Sequence, residues 1–210
     1  PSEDWKKRVF KQPWYPGETI SVAIGQGATT TTPLQLAMTI GGIASGGVFR
    51  QPHLLKTKQN VPDFRFPLTE HTTEVITQAM YGVVNEGGTA AASRLEGIEF
   101  CGKTGTSQLI SNDGRKRIGG GRRFTDNAWF VGYAPRRNPE IVVAVLVEHG
   151  EHGSTAAAPV ARDIIKRYYE KKSQRGQQRY TVEYKRFEVD PDSVLAQVKP
   201  AGKIELRGVE

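Results

Sequence analysis

Gly97-Ile98-Glu99-Phe100-Cys101-Gly102-Lys103-Thr104, continuing as Gly105-Thr106-Ser107-Gln108, admits two readings, and the choice between them sets the fold. Letter for letter, the first eight residues match the phosphate loop G-x-x-x-x-G-K-T, and the apolar run ending at Glu148 offers itself as the second nucleotide-binding strand. A loop that cradles phosphates needs a buried strand before its first glycine and a helix starting at the lysine, so that backbone N–H groups converge on the anion. The stretch before Gly97, Ala90-Ala-Ala-Ser-Arg-Leu-Glu96, is helix-like, and Gly105 and Ser111-Asn-Asp-Gly114 forbid a useful helix afterwards. Ile98 and Phe100 are bulky where an anion nest needs small residues. Read as a strand, the same residues project Lys103 as a fixed ammonium from an edge and place the Thr104 hydroxyl on the opposite side or at the rim. Gly105 then leaves no side chain between backbone and ligand. That suits an extended peptide with an anionic end, paired through main-chain hydrogen bonds while Lys103 and Thr104 hold its carboxylate.

Outward from this strand the pattern is α+β, an antiparallel sheet flanked by helices. The spacing predicts strands over Ile98 to Gln108, Ala128 to Ala134 and Ile141 to Val147. The last is apolar on both faces, as a central strand should be, and Pro135-Arg-Arg-Asn-Pro139 is hairpin turn chemistry. Thr32 as N-cap and Pro33 as first helical residue open a buried helix that stops at Gly46-Gly47; Gly41 and Gly42 inside it imply close backbone packing or an early end. A second helix is predicted from about Glu70 to Asn85 with Val75, Ile76, Ala79, Met80, Val83 and Val84 on its inner face, and a third from Thr155 to Tyr169 with Pro159 near its first turn. Residues 171–210 read as a polar, charged tail with one edge strand among Tyr180, Val182, Tyr184, Phe187 and Val189, after a domain spanning 1–170.

Composition excludes several function classes. With 37% hydrophobic and 24% charged residues the chain can build one core, and no apolar run approaches the roughly 18 to 20 residues of a membrane helix. The net charge of +7 concentrates in Arg115, Lys116, Arg117, Arg122 and Arg123 among glycines, which reads as a solvated loop with no aromatic platform, so no nucleic-acid partner is expected. Glu148-His149-Gly-Glu151-His152 is dense in ligand types, but Gly150 and Gly153 place it in a loop, and neither a metal nor another cofactor is expected. Cys101 reads as a small buried hydrophobe rather than a nucleophile.

Lys103-Thr-Gly-Thr-Ser-Gln108, Ala128-Trp-Phe-Val-Gly-Tyr-Ala-Pro135, the Ile141 to Glu148 strand and Ala157-Ala-Pro-Val-Ala161 together resemble the last strands and terminal helix of penicillin-binding transpeptidases. Pro1-Ser-Glu-Asp-Trp-Lys6, Trp14-Tyr15, Ser21-Val-Ala-Ile-Gly-Gln-Gly27, Thr32-Pro-Leu-Gln-Leu36 and Gly42-Ile-Ala-Ser-Gly46 narrow the resemblance to the elongation-type class B members. It covers about residues 1–170 and implies a partial penicillin-binding-protein and serine β-lactamase-like fold.

It further implies that Lys103, Thr104, Gly105 and Thr106 bind the substrate, with Lys103 and Thr104 recognising the carboxylate of a D-Ala-D-Ala stem peptide or a β-lactam and the Thr106 N–H forming half of an oxyanion hole. Gly25-Gln26-Gly27 reads equally as a simple turn. Of the family's S-x-x-K, S-D-N and K-T-G motifs, only the last is present. No serine has a lysine three residues on, and Ser111-Asn112-Asp113 is out of order. The nucleophilic serine, its lysine base and the second motif are therefore expected upstream of Pro1, and the chain alone is expected to be inactive and to self-associate through surfaces meant for the missing half. Membership implies peptidoglycan cross-linking at the extracytoplasmic face of the bacterial inner membrane, with the anchor outside this stretch and elongation-machinery partners. A serine β-lactamase and a P-loop nucleotide binder are the alternatives.

Overall fold

The computed structural model describes residues 1–55, 62–109, 114, 117 and 125–174, together with the backbone of 188–189 and 198–199. Two short helices open the chain. In α1 (Glu3–Phe10) the Ser2 hydroxyl caps the Trp5 N–H, and α2 (Pro16–Ala23) begins on a proline with the Glu18 carboxylate accepting the Tyr15 N–H. Neither was expected, although Ser2-Glu-Asp and Pro16 are ordinary start signals. The buried Lys6 ties them together: its ammonium meets Glu18 at 2.5 Å and lies 4.3 Å from the centre of the Tyr15 ring. That pairing, with the Tyr15 N–H, holds the Glu18 carboxyl below its ordinary pKa.

Helix α3 (Pro33–Ala44) starts where the capping pattern places it, Thr32 and Gln35 exchanging side chain to backbone hydrogen bonds at 3.1 and 2.9 Å. Gly46 and Gly47 follow at φ +68° and +92°. The glycines inside α3 admit side chains rather than backbone: a Cβ on Gly42 would stand 2.4 Å from the Phe49 ring of β1 (Val48–Phe49), which pairs with β2 (Phe64–Arg65).

Helix α4 (Glu70–Asn85) has the predicted bounds, but its inner face is turned. Thr77, Met80 and Val84 are buried while Val75 and Ala79 face outward. The six apolar positions span about half the helix circumference, more than one packing contact covers, and the Val75–Ala79 row is the side left out.

The sheet contains β3 (Cys101–Ser107), β4 (Asn127–Ala134) and β5 (Ile141–Val147) in that order, antiparallel throughout, with Lys103 opposite Val131 and Phe130 opposite Val145. Among the described residues the central strand is thus β4. Among the described residues β5 is paired on one side only, and both its faces are apolar because α3 packs on one and α5 (Ala158–Gln174) on the other. The Pro135–Pro139 hairpin closes with the Glu140 N–H donating to the Ala134 carbonyl at 2.9 Å. A π-turn at Gly153–Ala157 delays α5 relative to the expected Thr155 start, and the helix continues past Tyr169 to Gln174.

One core layer joins Phe130, Val143 and Val145 to Ala158, Ala161, Ile165 and Tyr169 of α5 and to Val84, Leu95 and Phe100, with the Phe100 and Phe130 rings 5.5 Å apart. On the other face Cys101 and Tyr133 meet Met80 and, from α3, Ile40 and Ala44. In the tail, β6 (Glu188–Val189) pairs antiparallel with β7 (Val198–Lys199). The expected alternation at Tyr180–Tyr184 and Phe187 lies outside the described residues, as do Arg115, Lys116, Arg122, Arg123 and Ser111–Asp113; Arg117 is exposed. Among the described residues no helix is long and apolar enough to cross a membrane.

Candidate functional site

The expected site residues lie in sequence along β3. Strand alternation sends Lys103 to the α3–α4 side of the sheet, with Cys101, and Thr104 to the α5 side, opposite Phe130. Lys103 is exposed, and its ammonium donates to the Thr104 carbonyl at 2.9 Å. The Thr104 hydroxyl is 2.8 Å from that of Thr89, in the loop after α4. Thr106 is exposed, and its carbonyl accepts the Gln26 side-chain N–H at 2.9 Å while the Gln108 N–H donates to the Gln26 side-chain oxygen at 3.4 Å. In a strand, each residue's N–H and C=O point the same way and alternate along the chain. Thr104, Thr106 and Gln108 therefore present their main-chain groups to the edge facing away from β4.

A Cβ on Gly105 would lie 3.2 Å from the Trp129 Cβ, so the space beside it belongs to the neighbouring strand. Behind the strand, the Trp129 indole N–H donates to the Ser107 hydroxyl at 3.1 Å, and the π-turn closes on the site at Gly153, which stands against the Gly105 and Trp129 main chains. Among the described residues no strand pairs with this edge of β3, so it can accept an extended chain through its backbone while Lys103 supplies a positive charge and Thr104 a hydroxyl at the rim.

Gly25-Gln26-Gly27 does form a turn, with both glycines at positive φ (+73° and +70°), yet its middle side chain also reaches β3, eighty positions away. Thr89 left no signal in the sequence, since a hydroxyl pair fifteen positions apart belongs to no period.

Cys101 and the 148–152 loop are the other groups that the sequence singles out. Cys101 is fully buried, and desolvation pushes its thiol up to about 11, so no thiolate is present at neutral pH. Burial raises the Tyr133 phenol as well. In the 148–152 loop, His149 donates its main-chain N–H to the Asn127 side-chain oxygen at 2.9 Å, and His149 and Glu151 take positive φ. Among the described residues no three His, Cys, Asp or Glu side chains cluster as metal ligands.

Residues 4–166 match the penicillin binding protein transpeptidase domain. Over 184 residues the chain is 35% identical to the peptidoglycan D,D-transpeptidase MrdA of Haemophilus influenzae, covering 80% of this chain and 28% of that protein. PBP2 of Pseudomonas aeruginosa, solved in complex with WCK 5153, superposes with a TM-score of 0.69 at 36% identity over 80% of this chain and 36% of the other. PBP2 of Helicobacter pylori in complex with MreC gives 0.68 at 32% identity, over 81% and 30%. The match takes in both ends of the site, from the Gln26 loop to the K-T-G strand and the helix behind it, and the chain belongs to the penicillin-binding protein transpeptidase family.

Proposed function

We propose that this chain is the substrate-recognition part of an elongation-type peptidoglycan D,D-transpeptidase. The observation that carries the reading is the β3 edge: Lys103 and Thr104 on opposite faces, with the Thr104 and Thr106 main chains directed outward for a peptide to pair with. In the whole protein a serine, with its lysine base, attacks the penultimate D-Ala carbonyl and releases D-alanine; the acyl group then passes to a neighbouring stem's amine. Here Lys103 and Thr104 hold the terminal carboxylate, and the Thr106 N–H contributes to the oxyanion hole. A P-loop is disfavoured because the strand runs through Lys103 with no helix beginning there. Bacterial MrdA and PBP2 relatives support the elongation assignment and a position at the extracytoplasmic face of the inner membrane, and the MreC complex supports a partner from the elongation machinery.

Intact-mass spectrometry tests the reading. The 210-residue chain should carry no β-lactam-sized increment after denaturation, whereas a protein extended upstream through the S-x-x-K serine should be acylated. Lys103→Ala in that longer protein should raise the half-saturating β-lactam concentration by about tenfold or more, the loss of one charge-assisted hydrogen bond. An adduct on the short chain, or undiminished capture by Lys103→Ala, would overturn the assignment.

We also propose that the isolated chain self-associates. Val9, Phe10, Ile20 and Leu34 of the first three helices, and Ile24 just after α2, are each more than half exposed, apolar side chains that favour burial. Light scattering should report species larger than a monomer; a clean monomer across concentrations counts against it.

A further inference from the structure

An edge strand leaves outward-facing N–H and C=O groups that need partners. At the far end of β3 one side chain supplies both. The Gln26 amide donates to the Thr106 carbonyl at 2.9 Å and accepts from the Gln108 N–H at 3.4 Å, as one residue of a neighbouring strand would. The loop that carries it is itself held. The Gln26 N–H donates to the Ser21 carbonyl at 2.8 Å and the Gly25 N–H to that of Val22 at 3.0 Å, anchoring the turn to the end of α2, which the Lys6–Glu18 pair joins to α1. A Cβ on Gly27 would stand 3.3 Å from that of Ser21, which leaves the turn little slack.

On the same edge the Lys103 ammonium holds the Thr104 carbonyl. The outward Thr106 N–H therefore lies between two carbonyls whose directions are set, one by Lys103 and the other by Gln26. We infer that Gln26 is a positioning residue for the Thr106 amide: it fixes the main chain on the far side of that N–H and so aims it at the oxygen that becomes negative during acylation. The inference rests on the transpeptidase reading above.

The two contacts predict different kinetic defects. A carboxylate partner acts on ground-state binding, whereas a group that aims an oxyanion donor acts on the transition state. In the full-length protein, labelled with a fluorescent penicillin, Gln26→Ala should lower the maximal acylation rate roughly tenfold, less than outright removal of an oxyanion donor, while the half-saturating concentration stays within about twofold. Lys103→Ala should mainly raise the half-saturating concentration. Gln26→Met, which keeps the length but loses both hydrogen bonds, should match Gln26→Ala. Gln26→Glu should be at least as slow, since its carboxylate would face the Thr106 carbonyl oxygen.

Wild-type rates for both Gln26→Ala and Gln26→Met would overturn the inference while leaving the transpeptidase reading intact; should the alanine variant fail to fold, Gln26→Met alone decides. A defect confined to the half-saturating concentration would also overturn it. A wild-type protein that takes no label would instead overturn the reading beneath it.

Discussion

Gly153→Ala should destabilise the protein by roughly 3 kcal/mol, the upper end of the usual cost of overpacking. The added methyl would stand 2.2 Å from the Trp129 carbonyl oxygen and 2.6 and 3.0 Å from the Gly105 oxygen and nitrogen. All three are main-chain atoms of paired strands, so no rotamer change relieves the clash; either the π-turn retreats or β3 and β4 move. Because Gly105 lies between Thr104 and Thr106, the relaxation falls on the strand proposed for recognition. A denaturant midpoint measures the stability loss, and a shift confined to a few tenths of a kcal/mol would show that the turn can withdraw at little cost.

Phe130→Ala should cost about 3 to 5 kcal/mol, as expected for truncating a fully buried aromatic residue. The ring is fully buried, packs on Phe100 at a centroid distance of 5.5 Å and fills the space beneath Gly102. A Cβ on Gly102 would be 2.2 Å from that ring, so Gly102→Ala should also destabilise, by roughly 1 to 3 kcal/mol. The two effects should not add. Once the ring is gone the methyl enters vacated space, and the double variant should be more stable than the sum of the single losses predicts, by about 1 kcal/mol or more. Strict additivity in the unfolding free energies would mean that the glycine before Lys103 does not owe its place to Phe130.

Much of the fold could be read from local pattern. Thr32-Pro33 capped a helix where expected, the α4 bounds were those of its periodicity, and the K-T-G, Ala128–Ala134 and Ile141–Val147 runs became three antiparallel neighbours. These are properties of caps, turns and side-chain period, each settled within a few residues of chain. The choice of strand over P-loop at Lys103 belongs with them, because the residues flanking Gly97 and Gly105 could not supply a loop's strand and helix.

What local pattern could not settle was which partner each face would meet. A strand apolar on both sides reads as central, but β5 gains its two apolar faces from α3 and α5 while, among the described residues, β4 holds the middle of the sheet. The apolar positions of α4 spanned a wider arc than its contact, and only packing determined that Val75 and Ala79 stay outside. The site divides in the same way. The proposed recognition residues Lys103, Thr104, Gly105 and Thr106 are consecutive, so the sequence could offer them as a group, and alternation alone puts lysine and threonine on opposite faces. Gln26 and Thr89 joined the proposed site only when the chain brought residues eighty and fifteen positions apart into hydrogen-bonding range, a contact that no spacing along the sequence encodes. The sequence by itself determined that Lys103, Thr104, Gly105 and Thr106 share one strand, the one proposed for recognition; the tertiary structure decided what holds that strand's outer edge in place, because the partners of an unpaired edge are set by the surfaces packed beside it.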